Sequence, residues 1–116
     1  MAKNRNKAST RYYSEAMEEA VSKVLLNGHR QPNSGAAKFN KGDVVTESFL
    51  IECKVPMSNK DSFSIKKEWV EKNKLEAFQI RKSNQAIAFR FSPEGETFYI
   101  ISEKLMRELV LVLEGR

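Results

Sequence analysis

The chain has 116 residues, 41% hydrophobic and 30% charged, with twenty Lys and Arg against fifteen Asp and Glu for a formal charge of +5. That length supports one core, a single sheet with a few helices, and excludes a second domain. One cysteine and one histidine, Cys53 and His29, exclude an intrachain disulfide, a multi-cysteine zinc site and an HExxH centre, and leave His29 alone to serve any Ser/His or Cys/His nucleophile. The charge excess is confined to residues 1–41, with eight Lys or Arg and three Glu, whereas residues 42–116 balance at twelve of each. A basic leading section on a neutral body favours a polyanionic partner, DNA or RNA. No apolar run has the length of a membrane span, and MAKNRNKASTRYY lacks the apolar stretch of a signal peptide, so the expected location is the cytoplasm.

Residues 1–13 are polar and basic and read as a flexible arm ending at Tyr12 and Tyr13, with the single domain spanning 14–116. Ser14 can cap a helix through about Leu26, on which Met17, Ala20, Val21, Val24 and Leu25 form one apolar arc, ended by Gly28. RQPNSGAAKFNKGD is a loop, long for so small a domain. Asp43–Thr46 and Phe49–Val55 read as two strands joined by a tight Glu47-Ser48 turn, and Pro56 closes the second. After the polar MSNKDS and Phe63-Ser64-Ile65 comes a charged helix from about Lys66 to Lys82, with Trp69, Ala77 and Ile80 inward. AIAFRF alternates as a strand with Ile87, Phe89 and Phe91 on one face, Ser92-Pro93-Glu94-Gly95 turns, and Thr97–Ile101 returns. SEKLMRELVLVLEG reads as a helix with Leu105, Met106, Leu109, Val110 and Leu113 inside and Gly115 at its end. The expected class is α/β: a mixed central sheet flanked by helices, in the order helix, two strands with room for a third, helix, two strands, helix.

Within FLIECKVP, residues 49–56, five of the eight residues are apolar, yet Glu52 and Lys54 stand two apart on the strand. Strand alternation puts both on one face, about 7 Å apart. One reading is an ion pair on a half-exposed strand. The other follows from Asp43: pairing Thr46 with Phe49 across the turn brings Asp43 opposite Glu52. Two opposed carboxylates repel unless a cation lies between them, and Mg²⁺ suits one or two carboxylates with several retained waters. On the first helix Glu18 lies about 90° from the centre of the apolar arc, at its edge, while Glu15 and Glu19 point about 150° and 170° away, towards solvent. Glu18 is therefore the carboxylate that can reach the sheet; a solvated first-turn glutamate is the alternative.

The series Glu18, Asp43, Glu52-Cys53-Lys54, on a helix-strand-strand frame, resembles the PD-(D/E)XK nuclease superfamily, and within it the small Holliday-junction resolvases of archaea and phage. The likeness runs from the first helix to the last strand and includes the loop Asn33-Ser34-Gly35-Ala36; Gly42 stands where the family's name has proline. It implies a restriction-endonuclease-like core in which Glu18, Asp43 and Glu52 hold Mg²⁺, with Mn²⁺ as a substitute, the backbone carbonyl of Cys53 reaches the metal, and Lys54 assists the attacking water. It also implies DNA as partner, a homodimer making two symmetric nicks, and a phage or prokaryotic origin. Candidate DNA contacts are Arg11 beside the two tyrosines, Ser34 and Gly35 on the scissile phosphate or else in a plain turn, Lys38 and Lys41 flanking that loop, and Lys66 and Lys67 at the start of the second helix. Cys53 faces away from Glu52 and is expected to be buried and inert. The expected function is a Mg²⁺-dependent structure-selective endonuclease on four-way junctions. Its alternatives are a nicking or end-processing nuclease with the same site and a non-catalytic nucleic-acid-binding domain.

Overall fold

The computed structural model describes residues 2–25, 29–30 and 43–115. Helix α1 spans Ala2–Val24, and β1 is the two-residue strand His29–Arg30. Then come β2 (Asp43–Val45), β3 (Phe49–Lys54), α2 (Lys67–Gln79), β4 (Asn84–Phe89), β5 (Phe98–Ile100) and α3 (Glu103–Leu113). The fold is α/β, with the five strands lying in chain order in one mixed sheet: β1–β2, β2–β3 and β4–β5 are antiparallel and β3–β4 is parallel. Among the described residues no helix is long and apolar enough to cross a membrane.

The expected strands of the first hairpin form where the pattern places them. Their two-residue turn is closed by the Thr46 amide donating to the Phe49 carbonyl and the Phe49 amide donating to Thr46 Oγ1, both at 3.0 Å. Parallel strands require a crossover, and α2 supplies it between β3 and β4. α2 stops at Gln79, short of Lys82, because Arg81 takes a left-handed conformation (φ 61°). There the Lys82 amide reaches the Ala77 carbonyl at 2.8 Å and the Arg81 amide the Phe78 carbonyl at 3.1 Å, the paired bonds of a Schellman end.

Three expectations require correction. α1 begins at Ala2 rather than at a Ser14 cap: no glycine or proline interrupts residues 2–24, so nothing in the chain halts the helix there, and the segment read as a flexible arm is helical. Tyr12 and Tyr13 thus pack edge-to-face (5.5 Å) in mid-helix, not at a helix start. Arg30, read as the start of the loop, and His29 before it form a strand that pairs with Val44 and Val45. On α3 only Leu105 is buried; Met106, Leu109 and Leu113, expected inside, are exposed, Leu113 by 82%. The helix itself is well made, with Ser102 Oγ accepting from the Leu105 amide at 3.2 Å and Gly115 at φ 73° as its end. It follows the last strand, at the edge of the five-stranded sheet.

The core is two-sided. Met17 and Val21 of α1 pack on Val44, Ile51, Ala86 and Ala88, with Leu25, Phe49, Cys53, Val55 and Ile101 around them. Leu50 and Ile87, one residue out of phase with that set, are buried on the opposite face, which α2 covers through Ala77 and Asn73.

Candidate active site

The opposite, α2-covered face carries the chemistry. Asp43 and Glu52 are register partners across β2 and β3, as the turn arithmetic requires. Both are buried, at 1% and 6% exposure, in the interior of a protein that leaves most of its charge at the surface. Glu52 Oε2 accepts from Lys54 Nζ at 2.9 Å. Glu52 Oε1 and both carboxylate oxygens of Asp43 are buried with no hydrogen-bond partner among the described residues. A buried ionised carboxylate without partners costs several kcal/mol, so such a group protonates or takes a cation. Burial first, then the charges of Glu52, Glu76 and Glu18, push the Asp43 carboxyl up from 3.8 to about 7; Lys72 acts the other way.

Lys54 is held from a second side. Its Nζ lies 4.3 Å from the centroid of the Trp69 ring on α2, and Lys66 Nζ lies 5.7 Å from the same ring. Trp69 in turn meets Phe63, which stacks obliquely on Phe89, the register partner of Lys54. An apolar wall therefore flanks the amine and fixes its direction towards Glu52. The sequence suggests Trp69 as a core anchor, and the cation–π role is an addition. Replacing Trp69 by leucine keeps an apolar side chain and removes the π face. The expected result is a loss of about 1–2 kcal/mol in urea unfolding, with loss of the upfield ring-current shift of the Lys54 side chain in the NMR spectrum.

Glu18 is buried at 9% exposure, while Glu15 and Glu19 are exposed, so the helical wheel separates the inward glutamate from the two that face solvent. Its approach differs from the expectation. α1 covers the face of Val44, Ile51 and Cys53, whereas strand alternation directs Glu52 and Lys54 to the other face. Glu18 acts on the charge of Asp43 more weakly than Glu52 and Glu76 do. Among the described residues no three His, Cys, Asp or Glu side chains stand close enough to hold a metal ion as a ready-made cage. What fits a hard divalent cation is the opposed pair, with three dehydrated carboxylate oxygens that lack donors. Cys53 packs with the α1-side core, and burial pushes its thiol up, away from the thiolate, in keeping with an inert residue.

Arg11, Lys66 and Lys67 are exposed, and Lys67 makes a loose 3.8 Å pair with Glu71. Ser34, Gly35, Lys38 and Lys41 lie outside the described residues. The residue that sequence reasoning missed is Glu76, half-buried on α2, whose carboxyl is raised by burial and by Glu52 and lowered by Lys72. Its signal was available: it falls on the same helical edge as Trp69, seven residues earlier. Compared with known protein-family models, characterised proteins and solved structures, the chain matches none.

Proposed function

We propose that the protein is a Mg²⁺-dependent, structure-selective DNA endonuclease with a restriction-endonuclease-like core, acting on four-way junctions as a homodimer. The observation that carries this reading is the buried Asp43–Glu52 pair, register partners with three unpartnered oxygens, beside an amine fixed at 2.9 Å. Asp43 and Glu52 would hold the cation, and the Cys53 carbonyl, next on the strand, is a further donor by resemblance. Mg²⁺ supplies neutralisation of the charge that builds on the phosphate oxygens. In the hydrolysis a water oxygen forms a new bond to phosphorus and releases a proton to solvent, an ester P–O bond breaks, and the leaving oxygen takes up a proton from solvent. Lys54, oriented by Glu52 and Trp69, hydrogen-bonds the attacking water and offsets the added negative charge. Arg11, Lys66 and Lys67 are exposed cations that suit the DNA backbone, and the sharing of one aromatic ring by Lys66 and Lys54 supports Lys66 as a contact near the reacting phosphate. Ser34, Gly35, Lys38 and Lys41 keep their place as phosphate contacts by resemblance alone. Cytoplasmic location and phage or prokaryotic origin go with this reading.

Two symmetric nicks require two sites related by a two-fold axis. The exposed apolar face of α3 is the surface a second copy would cover. Lys104 and Arg107 precede Glu108 and Glu114 along the helix, with only Glu103 out of pattern, so two antiparallel copies set basic halves against acidic ones. Leu109→Asp combined with Leu113→Asp is expected to halve the mass seen by light scattering and leave the fold intact, since both residues are exposed.

The close Glu52–Lys54 ion pair at 2.9 Å supports, as a second reading, a nucleic-acid-binding domain in which that pair is structural. The deciding experiment incubates the protein with a synthetic four-way junction and a matched linear duplex, in Mg²⁺ and in EDTA. Symmetric nicks in the junction alone, only with Mg²⁺, are expected. Cutting of both substrates would indicate a nicking or end-processing nuclease, and binding without cutting the non-catalytic domain.

A further inference from the structure

The nuclease reading leaves a vacancy in its own chemistry: Asp43 and Glu52 share a face of the sheet with Lys54, and Glu18 comes from the helix on the other face. The side facing the opposed pair is α2. Trp69 fixes the geometry there, because its ring lies against Lys54 Nζ. Glu76 follows Trp69 by seven residues, two turns, which returns it to within about 20° of the same helical edge and about 10.5 Å further along the axis. α2 connects two parallel strands, so it runs back against them, from the Lys54 end of β3 towards the Phe49 end. Glu52 lies about 7 Å from Lys54 in that same direction. The edge of α2 that holds Lys54 through Trp69 therefore carries Glu76 towards Glu52 and its cross-strand partner Asp43; the three side chains form no ready-made cage among the described residues, so Glu76 would swing in to ligate. The neighbours of Glu76 agree, since Asn73 and Ala77 on the same side of the helix are buried against the sheet.

The electrostatics accord with this arrangement. Among the acidic groups that act on Asp43, Glu76 ranks after Glu52 and before Glu18, and Glu52 acts in turn on Glu76. Asp43 itself is the buried, unpartnered group aimed into this cluster, at 1% exposure with neither oxygen bonded. Lys72, one turn before Glu76, lies close enough to favour the ionised form of both Glu76 and Asp43, so the cluster is acidic but not left with uncompensated charge.

We propose that Glu76 of α2, and not Glu18 of α1, is the third acidic ligand that completes the Asp43–Glu52 cation site. Glu18 then acts as a buried group that sets the charge around Asp43 from behind the sheet. This inference rests on the nuclease reading, because it assumes that the opposed pair binds a divalent cation.

Binding of Mn²⁺ to the full-length protein, followed by the loss of free-ion EPR signal, separates the two glutamates without recourse to cleavage. Glu76→Gln should weaken binding by about 10- to 100-fold, whereas Glu18→Gln should change it by no more than about threefold. Glu71→Gln, an exposed position on the same helix, controls for the loss of one negative charge and should leave the affinity unchanged. Glu76→Asp, which keeps the carboxylate on a shorter stem, should recover part of the affinity. A large loss in Glu18→Gln with wild-type affinity in Glu76→Gln would overturn the proposal and leave the nuclease reading standing. If the wild-type protein binds no more Mn²⁺ than Asp43→Asn does, the cation site itself is absent and both fail.

Discussion

Glu52→Gln is expected to lower the single-turnover rate of Mg²⁺-dependent junction cleavage by on the order of 10²–10³ or more, with junction affinity unchanged or tighter in a mobility-shift assay. The argument is electrostatic. Glutamine is nearly isosteric and keeps the packing of a residue buried between β2 and β4. It removes the negative charge that pairs with Lys54 at 2.9 Å and opposes Asp43 across the ladder. A cation held there would lose half of the opposed carboxylate pair, and the amine loses the partner that holds it in place. Binding behaves oppositely, because a carboxylate near a phosphate repels it and the amide does not. Unaltered cleavage by a folded Glu52→Gln protein would remove the catalytic reading of the site.

The second large effect is on stability. The Asp43 carboxyl, raised from 3.8 to about 7 by burial and by neighbouring carboxylates, holds a proton in the folded protein that the unfolded chain releases at lower pH. Between these two values the folded state binds more protons than the unfolded one, so stability falls as pH rises and levels off above about 7. The expected loss is on the order of 2–4 kcal/mol between about pH 4 and pH 7. Thermal unfolding in EDTA should show the midpoint dropping through that window. Millimolar Mg²⁺ or Mn²⁺ should restore it at about pH 8 and do little at about pH 5, where the cation must displace a proton. In Asp43→Asn both the pH slope and the cation response should largely disappear. A midpoint that climbs over the same window, or a cation effect that persists in Asp43→Asn, would contradict the assignment.

The hairpin was legible because its signals are local. A two-residue turn fixes the register, and period-two alternation fixes the faces, so the Asp43–Glu52 pairing follows from the sequence alone. The choice of Glu18 over Glu15 and Glu19 came equally from the width of the apolar arc on α1. What the sequence did not carry was the side of the sheet on which each helix lies. That depends on which strand residues match each helix, and it reverses the expected partnership: α1 buries Val44 and Ile51, and α2 takes the charged face. Glu76 was overlooked because its neighbours Lys72 and Lys74 make α2 resemble a solvated, self-neutralising helix. The last helix misled for the opposite reason. An apolar stripe states that a surface wants cover without stating whose, and among the described residues only Leu105 of α3 is buried, with Val110 half-buried.

The order of strands in the sheet bears on how the molecule would respond to being cut. Met57–Ser62, the connector between β3 and α2, is exposed throughout, the kind of segment in which proteases nick native proteins. A break there severs the chain between the two halves of the proposed site: Asp43, Glu52 and Lys54 stay with the first fragment, and Trp69 and Glu76 leave with the second. The fragments would remain joined by the parallel β3–β4 ladder, which alone bridges the cut within the sheet, so reassembly of the pieces and recovery of the cation would be a single event.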